Sequence, residues 1–99
     1  MLYAIIGTDV PNSSAARLSA RPRHLERVQA LVQQGRLVVA GPFPAIDAED
    51  PGPNGVTGSL ILAEFPDLDA ARAWAAADPY TTDGVFGSVD VRPFRRVLP

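Results

Sequence analysis

Apolar residues fall along this chain in two rhythms. Unbroken runs at Leu2–Gly7 (LYAIIG), Leu37–Ala40 (LVVA) and Gly58–Phe65 (GSLILAEF) show no alternation, which predicts strands covered on both faces. From Ser19 to Gln34 (SARPRHLERVQALVQQ), Leu25, Val28, Leu31 and Val32 recur at helical spacing and form one apolar stripe. Ser19 is placed to cap that helix, Pro22 falls in its first turn, and Gly35 suits the position just past its end. A second helix runs from a cap at Asp67 through Leu68, Ala71, Trp74 and Ala75. It must stop near Asp78, because Pro79 disfavours the α region at the residue before it. Ser88–Leu98 alternates at Val89, Val91 and Phe94, a last strand that Pro93 confines to a sheet edge or a bulge. Thr8–Leu18, Pro44–Val56 and Tyr80–Gly87 read as connections, dense in turn-forming residues. The acidic residues of Pro44–Val56 lack the spacing of an EF-hand loop.

The order βαββαβ predicts an α+β, ferredoxin-like single domain over 1–99, with an antiparallel sheet and both helices on one face. Right-handed crossovers give the spatial order 4-1-3-2. If the first strand runs up, the first helix starts at the upper rim and the second helix ends there. His24, at the edge of the first helix's apolar stripe, and Asp78, at the inner face of the second helix's end, are therefore predicted to converge. The same rim collects Thr8-Asp9, Gly41-Pro42 and Gly58-Ser59 from the strand ends. Strands apolar on both sides need a second cover, and a homodimer packed through the sheet face is the simplest one.

Composition narrows the functions. The chain is 46 % hydrophobic and 20 % charged, in the globular range, and no apolar run approaches a membrane span. Met1-Leu2-Tyr3 begins a strand-like segment and not a signal peptide, so a cytoplasmic location is expected, with no membrane partner. The absence of cysteine excludes a thiolate nucleophile or a Cys-based metal site, and a single histidine argues against zinc. No metal or organic cofactor is expected. A net charge of −2 gives no reason to expect nucleic acid.

A carboxylate bonded to one imidazole nitrogen fixes the tautomer and raises the basicity of the other, so His24 and Asp78 together suggest general acid–base catalysis. No nucleophile-elbow sequence places Ser13, Ser14 or Ser59 as a nucleophile. Arg21, on the helix that carries His24, and Arg17, in the connection before it, could bind an anionic substrate. Tyr80 could donate a hydrogen bond or wall a flat ring, with Gly41, Pro42 and Ser59 completing the substrate side of the rim. The expected function is proton transfer on a small organic substrate. A noncatalytic metabolite-binding module using the same rim is the alternative, and a haem protein with His24 as axial ligand a third.

Nearly the whole chain resembles the YciI (YCII-related) family. The resemblance is carried by RLSARPRHL at Arg17–Leu25, GRLVVAGP at Gly35–Pro42, TGS at Thr57–Ser59, AEF at Ala63–Phe65, and ADPY with GV across Ala77–Val85. It implies a ferredoxin-like fold of the dimeric α/β-barrel type and a pocket centred on His24 and Asp78. One branch of the family looks like a dehydrochlorinase of chlorinated hydroxyquinols, which would suit acid–base chemistry on an aromatic ring.

Overall fold

The structure, a computed structural model, describes residues 1–99 in full. Its elements are β1 (Leu2–Asp9), α1 (Ser14–Gln33), β2 (Leu37–Pro44), a 3₁₀ turn at Gly52–Asn54, β3 (Val56–Glu64), α2 (Leu68–Ala76), α3 (Pro79–Thr82) and β4 (Phe86–Phe94). The four strands form one antiparallel sheet in the order β2-β3-β1-β4, the predicted 4-1-3-2 order, and the fold is ferredoxin-like α+β. Ile5 sits opposite Ile61 and Val91, and Tyr3 opposite Ala63, so one face of the sheet is apolar across its centre.

That face carries the core. Tyr3, Ile5, Ile61 and Ala63 pack beneath Val28 and Leu31 of α1 and Ala71 and Ala75 of α2. Asp67 caps α2 as expected, accepting the Ala70 N–H at 2.8 Å. β4 pairs only with β1, which leaves Pro93 on an edge strand where its missing N–H is tolerated.

Several boundaries differ from the sequence expectation, among them β4, which runs over Phe86–Phe94 and not Ser88–Leu98. β1 continues to Asp9 and α1 begins at Ser14, so Ser13 and not Ser19 occupies the N-cap, and Pro22 lies inside the helix instead of in its first turn. The proline removes one backbone bond, to the carbonyl of Leu18, on an exposed side of the helix where water can serve that oxygen. β2 runs on through Gly41-Pro42 to Pro44, which its edge position allows. Finally, α2 stops at Ala76 and Asp78 caps a separate short helix, α3, where a turn was expected.

Candidate active site

Residues 17, 21, 24 and 28 recur on α1 at intervals of four, three and four, so they share one helical face. That face looks across to β2 and β3 over a cavity of about 250 Å³. Arg17, Arg21, His24, Gly41, Pro42, Ser59 and Tyr80, seven of the eight residues singled out from the sequence, line it. The eighth, Asp78, lies behind His24.

The dyad is tight. Asp78 is 2 % exposed, and its Oδ2 stands 2.8 Å from His24 Nδ1. The same oxygen accepts the Tyr80 N–H at 3.0 Å, the capping bond of α3, while Oδ1 accepts Arg27 Nη1 at 2.9 Å. Burial pushes the Asp78 carboxyl up, but the His24 hydrogen bond and charge, the Tyr80 N–H and Arg27 outweigh it, and the net direction is down. Asp78 is therefore an anion with no proton to give. It follows that Nδ1 is the nitrogen of His24 that donates, and in the neutral imidazole Nε2 is the acceptor. No hydrogen bond within the chain reaches Nε2, yet no unpaired side-chain nitrogen or oxygen is sealed from solvent. Nε2 thus opens to the cavity that His24 lines.

Tyr80 holds the imidazole in plane. Its ring is 3 % exposed and stacks on His24 with centroids 3.9 Å apart and planes 11° apart. One face of the ring expected to wall a flat ligand is occupied by the His24 imidazole itself. Phe86 meets Tyr80 edge-on at 5.6 Å, and Phe86 in turn fits against β1 only because Gly7 has no side chain; a Cβ there would lie 2.4 Å from the phenyl ring. Burial raises the Tyr80 phenol above its ordinary value, against the opposing charges of Arg17 and Arg21, so the group remains an O–H donor.

Arg17 is held in place. Its Nε and Nη2 donate to Asp9 at 2.6 and 2.9 Å, and Nη2 also donates to Ser59 Oγ at 2.8 Å. Asp9 further accepts the Ser13 hydroxyl at 2.6 Å, which keeps Ser13 from capping α1 with its side chain. The guanidinium lies 4.8 Å from the Tyr80 ring centroid, a cation–π contact that adds to the stack.

Two participants were missed in the sequence. Arg27 bonds Asp78, donates Nη2 to the Trp74 carbonyl at 3.0 Å and lies 4.3 Å over the Trp74 ring. Its position three residues after His24 was the available signal, since i and i+3 share a helix face. Asp9 was read only as a strand end, and nothing local marks it as the partner of Arg17.

The comparisons with known proteins give the family and support the fold. The YCII-related domain matches residues 1–95. Protein YciI of Escherichia coli O6:H1 is 54 % identical over 98 residues, which is 99 % of this chain and 100 % of that protein. An uncharacterized protein of Haemophilus influenzae is 47 % identical over 98 residues, with the same coverage of both chains. Among solved structures, a 5-chloro-2-hydroxyhydroquinone dehydrochlorinase from Burkholderia phenoliruptrix, in complex with 2,5-dihydroxybenzoquinone, superposes with a TM-score of 0.84 at 25 % identity. That likeness covers 96 % of this chain and 94 % of the other.

Proposed function

This chain belongs to the YCII-related family, and we propose that it is a small enzyme in which His24 is the general base or acid and Asp78 its orienting carboxylate. The observation that carries this reading is the buried imidazole whose Nδ1 faces a carboxylate that is ionised at neutral pH while Nε2 opens to a cavity. A base held in one tautomer, beside a site for a small molecule, is what proton abstraction needs.

The similarity to the dehydrochlorinase supports a reaction of lyase type. In loss of HCl from the keto tautomer of a hydroxylated, chlorinated ring, whose chlorine-bearing carbon is tetrahedral, Nε2 takes an enol O–H proton. That oxygen forms a C=O, the ring double bond shifts toward the chlorine-bearing carbon, and chloride departs with the C–Cl pair, so a quinone forms with no oxidant or reductant. Asp78 keeps its negative charge throughout and stabilises the imidazolium that forms. Tyr80 holds the ring plane, and its O–H can donate to an oxygen of the substrate.

The test is chloride release and quinone absorbance from a panel of chlorinated and hydroxylated aromatic compounds. The native chain is expected to turn over at least one, and His24→Ala to lose about 10²- to 10⁴-fold. Saturable binding without product, or turnover that survives His24→Ala, overturns the reading and favours a binding module.

A further inference from the structure

Charge around the cavity does not balance. Asp78 is matched by Arg27, and Asp9 by the two-pronged contact of Arg17. Arg21 takes part in none of the chain's ion pairs. It nevertheless lines the cavity beside His24 and Tyr80, and it borders the neighbouring cleft toward Pro51 and Gly52, at the open side of the site.

The remaining lining limits what can enter. A volume of about 250 Å³ is the liquid share of roughly eight water molecules, enough for a single ring or a short branched chain. Leu25, Val28 and Ile61 supply an apolar wall for its body. The polar side chains that line the space are His24, Tyr80, Arg21, Arg17 and Ser59, and the last two are bonded to each other. A second negative charge on the ligand would find no free cation, because the other two guanidiniums already hold carboxylates.

We propose that Arg21 is the charge anchor of this site and that its ligand is a small monoanion: one compact apolar body bearing one anionic oxygen group, either a carboxylate or an acidic enol or phenol. This deepens the acid–base reading, on which it rests only in taking the His24 cavity as the ligand site. The anchor fixes the anionic end near the mouth, one helical turn from His24, and turns the body of the ligand toward Nε2.

The experiment uses the full chain, with the ring protons of its only histidine as the reporter in NMR titrations at fixed pH. The probes are benzoate, its neutral isostere benzamide and the dianion phthalate. Benzoate is expected to shift the His24 signals saturably, with benzamide and phthalate each at least about tenfold weaker. Arg21→Gln is expected to weaken benzoate about 10- to 100-fold while leaving benzamide unchanged, and Arg21→Lys to retain part of the preference. Equal affinity for benzoate and benzamide, benzoate binding untouched by Arg21→Gln, or a native chain indifferent to benzoate would each overturn the proposal. The readout is binding, so loss of the anchor leaves the acid–base reading standing. Conversely, a chain without turnover that still separates benzoate from benzamide leaves the anchor standing.

Discussion

Asp78 is the residue on which the site converges, since one buried carboxylate orients His24, anchors Arg27 and caps α3. Its lowered pKa makes it a stability element with a defined sign. A carboxyl that ionises more readily in the folded state than in the unfolded chain contributes stability above the unfolded value of about 3.9. That contribution is lost as pH falls through the lowered native value. Asp78→Asn is therefore expected to be less stable than the native chain at neutral pH by about 2 kcal/mol, a figure discounted for the partial exposure of Arg27. Urea midpoints followed downward from pH 7 should converge below about pH 4; curves that stay parallel to the acid end would show that Asp78 does not ionise differently in the folded state. The meeting of His24 and Asp78 was legible in the sequence because it depends only on helix faces and strand directions. The clamps on either side were not. Arg27 looks like a solvated helix charge and Arg17 like a substrate anchor until the fold sets Asp78 and Asp9 against them.

At the scale of elements, the clearest departure from the sequence reading is the start of α1. Pro22 carries a strong signal for a first turn, and Ser19 is a good cap residue, so the pattern points to a cap six residues later than Ser13. What overrides it is Asp9. By taking the Ser13 hydroxyl and the Arg17 guanidinium together, it ties the first turn of α1 to the end of β1. The earlier start puts Arg17 on the helical face that Arg21 and His24 already share, so the misplaced boundary matters to the site. α1 then carries an interior proline whose cost is not repaid locally. Pro22→Ala restores a donor for the Leu18 carbonyl and removes a ring from the helix interior. Part of that gain, about 0.4–1 kcal/mol, is offset by the freer unfolded chain. A net stabilisation of about 1–2 kcal/mol is expected in urea unfolding, and an unchanged or lower midpoint would mean that the proline sets a bend the packing of α1 requires. α3 was illegible for a different reason. Four residues give no periodicity, and its only sequence mark is the Asp-Pro pair that also reads as a turn.

For the whole molecule, the open question is what covers the second face of the sheet. Alternation in β1 sends Tyr3 and Ile5 toward the helices and Leu2, Ala4 and Ile6 to the other side. By register, Leu60, Leu62, Val39, Phe43 and Phe94 join them. Val39, Phe43 and Phe94 are 40 to 51 % exposed in the single chain, while Asp90 and Arg92 on β4 give the patch a charged margin. Four strands about 4.8 Å apart and eight residues long at about 3.3 Å each span roughly 19 by 26 Å. That is about 500 Å² before side-chain relief, approaching the roughly 800 Å² per partner of a standard interface. A flat apolar face with one charged edge is self-complementary about a two-fold axis, where the patch of one copy meets the same patch of another. A homodimer through this face is the expected assembly, and light scattering should return about twice the 10.5 kDa of one chain at micromolar concentration. Leu62→Glu puts a charge near the middle of the patch, on the far side of the sheet from the His24 cavity. It should shift the mass toward one chain while leaving the stack of His24 on Tyr80 intact by NMR. A native chain that is monomeric at those concentrations would mean the face is soluble as it stands, and the apolar pattern of β1 and β3 would then need another partner.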